Sequence, residues 1–211
     1  MTQNNGVVLL SSAVFASAAR SFAGLVREIP AGAWDGPGLG EWNLRSLVGH
    51  ASRSLITVST YLQTSAERED ITTPQDYYAQ VIPSALGIDP ADVAERGRQA
   101  GRDLGDDPVA AVDALVSRVL GELATAGNPL IKVIGGLGIR LHTYLPTRTF
   151  ELAVHGLDIA GAVGIPHVLP TDVLCEALLL ATSAAAESGH GETVLLALTG
   201  RTALPPSFSV V

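Results

Sequence analysis

The sequence holds one cysteine, Cys175, one lysine, Lys132, and one methionine in 211 residues. A single cysteine excludes a disulfide framework and a structural zinc site built on cysteines. With so little lysine, and 13 basic against 21 acidic residues for a net charge of −8, the chain lacks the basic footprint of a nucleic-acid binder. Long apolar runs are also missing. The stretches around 7–19 and 177–186 fall short of the ~18–20 residues a spanning helix needs, so no membrane partner is expected. What is present is a hydrophobic content of 47%, enough for a folded domain and too much for a disordered chain. Abundant Ala, Gly, Val and Leu with Arg in place of Lys is the composition of a GC-rich bacterial genome.

Val7-Val8-Leu9-Leu10 followed by Ala16-Ser17-Ala18 has the outline of an export signal, but the preceding Thr2-Gln3-Asn4-Asn5 carries no positive charge. Val7, Leu10, Val14, Ala18, Phe22, Leu25 and Ile29 share one helical stripe instead, which predicts a first helix to about Glu28 and a cytoplasmic protein. After a Gly/Pro-rich loop carrying Trp34 and Trp42, Asn43 is the N-cap of a second helix reaching about Glu67. Residues 70–88 read as irregular, with a short helical piece near Tyr77. Asp89-Pro90 and Asp107-Pro108 each start a helix, the first largely exposed and running to about Leu104, the second amphipathic from Val109 to Leu123.

Leu130–Ile134 and Leu137–Leu141, joined by Gly135-Gly136, read as a small hairpin. A helix is predicted from about Pro146 to Val163 and another from Thr171 to near Gly189, with a short strand over Thr193–Leu198. The fold class is therefore mainly α: a four-helix bundle over 1–190 with a short hairpin, and a small extended C-terminal segment over 191–211.

The helix from Pro146 to Val163 carries the chemistry. Phe150, Ala153, Val154, Leu157 and Gly161 make one apolar face, and Leu152, Ile159 and Val163 an opposite one. Between them Arg148, Glu151, His155 and Asp158 form the single polar stripe. Charged groups on a helix buried on two sides cost several kcal/mol unless paired or metal-bound. Glu151 and His155, four apart, project together and can share a ligand. Two readings stay open: an ion-pair ladder along a cleft wall, or part of a metal site whose third ligand comes from elsewhere. His50, on the flank of the second helix's stripe (Leu44, Leu47, Val48, Ala51, Leu55, Val58 and Leu62), is the candidate third ligand. His142 lies just ahead of the helix, as a cleft residue or one behind the ligands. His167 and His190 fall in loops, and Cys175 reads as a buried structural thiol.

Three segments, in order, resemble one family. They are Trp34…Leu39…Trp42-Asn-Leu-Arg-Ser-Leu-Val-Gly-His50, Arg148-Thr-Phe-Glu151-Leu-Ala-Val-His155-Gly-Leu-Asp158, and Leu198-Thr-Gly-Arg201-Thr-Ala-Leu-Pro205. They are similar to the mycothiol-dependent maleylpyruvate isomerase-like proteins of the DinB-like superfamily. The resemblance implies a DinB-like four-helix bundle binding a divalent metal, usually zinc, through His50, Glu151 and His155. Two histidines and a carboxylate with an open fourth position make a catalytic arrangement, and one that equally suits non-haem iron.

The implied activity is that of a mycothiol-dependent transferase or isomerase. The metal would activate the low-molecular-weight thiol cosubstrate for addition to a small electrophile such as maleylpyruvate. Arg148 is then the catalytic or anion-orienting group, and Asp158 and His142 stand behind the ligands. The full isomerase adds a C-terminal α/β domain where residues 191–211 follow the last helix here. A basic group for an anionic substrate is accordingly sought in Arg148, Arg140, Arg201 or a second subunit of a homodimer. A non-catalytic metal- or ligand-binding bundle is the alternative.

Overall fold

A computed structural model describes residues 4–81 and 89–210, with side chains left aside for 4–10 and Pro90; the contributions expected of Val7 and Leu10, and the last part of the 70–88 segment, lie outside the described side chains. Eight helices are described: α1 (Asn4–Arg27), α2 (Leu44–Tyr61), α3 (Pro74–Val81), α4 (Pro90–Asp103), α5 (Pro108–Ala126), α6 (Leu141–Val163), α7 (Thr171–Glu187) and α8 (Gly191–Leu198). Two strands, β1 (Leu130–Lys132) and β2 (Gly138–Arg140), pair antiparallel with Ile131 opposite Ile139. The molecule is mainly α, as expected. Among the described residues no helix is long and apolar enough to cross a membrane.

The bundle is a ring in which α5 and α6 each pack on both α1 and α2. The start signals read from the sequence are real caps. The amide of Ser46 donates to Asn43 Oδ1 at 2.9 Å, that of Ala91 to Asp89 Oδ1 at 2.8 Å, and that of Ala110 to Asp107 Oδ1 at 2.9 Å. The predicted stripe of α2 is the centre of the core: Leu44, Leu47, Val48, Ala51, Leu55 and Val58 are all solvent-free, with Leu62 partly buried. Val14, Ala18, Phe22, Leu25 and Ile29 of the first stripe are buried too. Burying Leu- and Phe-sized side chains stabilises by about 1.5–3 kcal/mol each, so these stripes fix the ring.

Several expectations give way to tertiary structure. Helix α2 ends at Tyr61, not near Glu67, because the following segment wraps the hairpin: Lys132 donates its amide to Thr64 Oγ1 at 2.9 Å, and Ile71 donates to the Gly138 carbonyl at 3.0 Å. Helix α6 begins five residues before Pro146, at Leu141. Proline forfeits one helical hydrogen bond, but the first-turn amides find outside acceptors, Leu141 on the Pro129 carbonyl at 3.0 Å and His142 on Asn128 Oδ1 at 2.9 Å. The hairpin therefore feeds directly into α6.

The segment expected as a strand over Thr193–Leu198 is helix α8. A continuous apolar run does not by itself distinguish strand from helix. Among the described residues the only sheet is β1–β2, which leaves an extended segment there no ladder to join. Helix α8 packs on α7. On α6, Val154 and Leu157, assigned to a buried face, are 38% and 48% exposed; Phe150, Ala153, Leu152 and Ile159 are buried as expected. Cys175 is exposed on α7 rather than buried.

Helix α4 is largely exposed, as expected, but presses one face, around Gly97, Ala100 and Gly101, on α2 at a glycine seam. A Cβ on Gly49 would fall within the backbone of Ala100 and Gly101, and one on Gly101 would lie 2.8 Å from the Arg45 carbonyl. Gly97 does the same for the indole of Trp42, whose ring would meet a Cβ at 2.7 Å. That indole donates to the Ala94 carbonyl at 3.0 Å, tying the loop before α2 to α4. Close approach without side chains is what brings α4 over the ligand-bearing face of α2.

Candidate metal centre

His50 comes from α2, Glu151 and His155 from α6, and the two helices pack directly. One ligand atom from each of the three lies within 4.8 Å of the others, the only group of its kind among the described residues. His155 Nε2 and Glu151 Oε2 are 3.3 Å apart. Two ligands of one tetrahedral ion, with bonds of about 2.0–2.1 Å, stand about 3.3 Å apart. The rings of His50 and His155 meet edge to face with centroids 4.9 Å apart.

Each of the three is held from behind. His155 Nδ1 is 3.1 Å from Asp158 Oδ2, so that with the Nδ1 proton on the carboxylate the Nε2 lone pair points at the centre. Glu151 Oε1 accepts from the Tyr78 hydroxyl at 2.9 Å, leaving Oε2 toward His155. The same hydroxyl lies 3.1 Å from the Thr147 carbonyl. His50 stacks on Trp42 with centroids 4.5 Å apart.

Burial and hydrogen bonding drive the three groups apart electrostatically. Burial, followed by the charge on His155, pushes His50 down to about 4. Its Nδ1 is buried and has no hydrogen-bond partner among the described residues, an orphan whose desolvation costs about 1–3 kcal/mol. Burial also opposes charge on Glu151 and His155, but their mutual hydrogen bond outweighs it. With Arg148 and Tyr78 assisting, Glu151 is held at about 2; with Asp158 assisting, His155 is raised to about 9. His155 thus carries positive charge between the Glu151 and Asp158 carboxylates. A divalent ion satisfies all three groups: it takes neutral imidazoles and an ionised carboxylate, the donor set of an open catalytic site. The residues fit the group.

A cavity of about 340 Å³ opens beside the triad, between α2, α3, α4 and α6. Arg148 lies in its wall, its guanidinium 5.1 Å from the Tyr77 ring and 5.0 Å from the Tyr144 ring. It makes no ion pair with Glu151, so the ladder foreseen along α6 stops at three members. The structure does not bring His142 to the site. It stands in the first turn of α6, roughly 13 Å of helix before Glu151. Arg140 faces Glu69 at 3.7 Å, and Arg201 donates to the Thr199 carbonyl in an exposed tail. Sequence reading missed Tyr78, whose hydroxyl holds Glu151, and the two further cavity arginines Arg53 and Arg96. The ring of Trp42 supports both α4 and His50.

The molecule is a helical bundle whose two central helices bring two histidines and a glutamate into one cluster that could hold a metal ion. Residues 15–160 match the model of the mycothiol maleylpyruvate isomerase N-terminal domain, and the chain belongs to that family. Neither a curated protein nor a solved structure matches the chain significantly.

Proposed function

We propose that the protein is a metal-dependent, mycothiol-type thiol transferase or isomerase, with His50, Glu151 and His155 holding one divalent ion, zinc by donor type. The observation that carries this reading is the convergence of the three ligand atoms within 4.8 Å in a half-buried cleft, each backed by a separate residue. When bound, the ion supplies a Lewis acid that keeps a thiol deprotonated at neutral pH.

The chain's own residues do the rest. Asp158 fixes the tautomer of His155, Tyr78 fixes the rotamer of Glu151, and the stack on Trp42 fixes His50, so no ligand must be ordered at the moment of reaction. Tyr77 and Tyr78 line one side of the cavity. Arg148, clamped between aromatic faces, offers its donors to negative charge on the electrophile. Attack by the thiolate forms one carbon–sulfur bond and breaks the π bond, whose electron pair passes to the electrophile's conjugated carbonyl oxygen. Reversal after rotation about the former double bond returns thiolate and isomerised product.

The test is metal content of the wild type beside His50→Ala, Glu151→Ala and His155→Ala. About one equivalent in wild type, lost in each variant, is the expected result, followed by thiol conjugation that chelation abolishes. Wild-type protein that neither contains metal nor takes up added zinc would refute the reading. Metal without turnover across thiols would leave a non-catalytic binding bundle.

A further inference from the structure

Three guanidinium groups line the cavity: Arg53 from α2, Arg96 from α4 and Arg148 from α6. None of them is within 4.0 Å of a carboxylate, although every Asp and Glu of the chain lies among the described residues. Elsewhere Arg27, Arg68, Arg98, Arg102 and Arg140 have acidic partners, and Arg20, Arg45, Arg118 and Arg201 have none among the described residues, but only in the cavity do three such guanidinium groups line one pocket. The one carboxylate in the cavity wall, Glu151, is already engaged by Tyr78 and His155.

The glycine seam between α2 and α4 enforces this crowding of like charge, because Gly49 and Gly101 let the helix carrying Arg96 settle beside the one carrying Arg53. Arg96 spends only Nε, on the Asp92 carbonyl at 3.2 Å. Burial and then the neighbouring charges of Arg96 and Arg148 lower the pKa of Arg53. Arg53 is thus a cation without a carboxylate partner among like charges in a low-dielectric cleft, unfavourable until an anion arrives, and the cleft gathers three positive groups in a molecule of net charge −8.

Position narrows the ligand. Arg53 lies three residues beyond His50, and Arg148 three before Glu151, so each is one helical turn, about 4.5 Å, from a triad member. A cavity of about 340 Å³ is at the small end of ligand pockets. We propose that Arg53, Arg96 and Arg148 form a recognition subsite for the acidic group, carboxylate or phosphate, of a small ligand whose reacting end meets the His50–Glu151–His155 triad. This names a substrate class for the function proposed above and, as substrate recognition, rests on that reading. Arg53 and Arg96 are its specificity-determining residues, and the acidic group lies only a few bonds from the reacting atom.

The test is calorimetric titration of zinc-treated wild type, Arg53→Gln and Arg96→Gln with succinate, inorganic phosphate and, as the uncharged analogue, dimethyl succinate. Zinc stoichiometry and thermal unfolding are read on the same samples. Succinate or phosphate is expected to bind wild type saturably, at least tenfold more weakly to each folded variant, with the diester ignored by all three proteins. The tighter of the two anions names the acidic group. Anions that fail to bind wild type, or that bind both variants as tightly, overturn the subsite. Because zinc is measured separately, zinc uptake without anion binding refutes the subsite alone. Arginine-dependent anion binding without zinc uptake supports the subsite and refutes the metal centre.

Discussion

Asp158 and Tyr78 touch the triad from outside, and each controls a different property of it. The carboxylate 3.1 Å from His155 Nδ1 sets which imidazole nitrogen is free and raises its basicity. The hydroxyl 2.9 Å from Glu151 Oε1 sets only the direction of a carboxylate. Groups behind metal ligands are typically worth 10–100-fold in affinity. Asp158→Asn is therefore expected to weaken zinc binding about tenfold or more, and Tyr78→Phe by less, with the fold intact in both. Competition against a chelator of known affinity reads both numbers, and unchanged affinity in Asp158→Asn would contradict the role assigned to it.

His50 joined the cluster only through the family resemblance, but Glu151, His155 and Asp158 were legible in the sequence as one polar stripe because they share a helix, where i, i+4 and i+7 spacing is itself geometry. Tyr78, Trp42, Arg53 and Arg96 were not, since they reach the site from separate elements. Arg53 alone left a local trace, three residues after His50 on the same helix.

At the scale of elements, what the pattern could express was the core-facing stripe of each helix and its cap, and there it held for α2 and α5. It failed where a neighbour decides the outcome. The polar sequence of α4 announced its largely exposed surface but not the face it lays on α2, which follows from the absence of side chains at Gly97 and Gly101, a signal visible only with α2 in place. The start of α6 moved because Asn128 and Pro129 supply acceptors that no local spacing announces. The seam also makes a sharp prediction. Gly49→Ala puts a methyl group into the α4 backbone, which cannot give way as a flexible side chain would. Overpacking of this kind costs typically 1–3 kcal/mol, so urea unfolding should show a loss of about 2 kcal/mol or more. A variant as stable as wild type would mean that α4 does not rest on α2 as described.

For the whole molecule, the two histidines of the site give metal-free protein opposite dependences on pH. His155, raised to about 9 when folded from an ordinary 6.5, stabilises fully below pH 6.5, and that contribution is lost as pH rises through 9. His50, depressed to about 4, contributes stability present above 6.5 that is lost as pH falls through 4. The pair thus favours a maximum near pH 6.5, with up to ~3 kcal/mol lost on the alkaline side. Bound zinc requires His155 unprotonated, so the metal should stabilise more at pH 8.5 than at pH 6. Unfolding midpoints between pH 5 and 9, with chelator and with zinc, test both statements. A metal-free midpoint climbing steadily to pH 9 would show that His155 does not carry the proton assigned to it.

The stack of Trp42 on His50 has a use beyond support. An indole with its ring centroid 4.5 Å from an imidazole that ligates an ion is a fluorophore wired to the site, while the other tryptophan, Trp34, is buried beneath Arg45. Tryptophan emission should change on adding zinc to wild type and stay constant in Trp42→Phe, where Trp34 alone emits. The protein thereby carries a built-in optical gauge of occupancy, readable in a stopped-flow cell without a label.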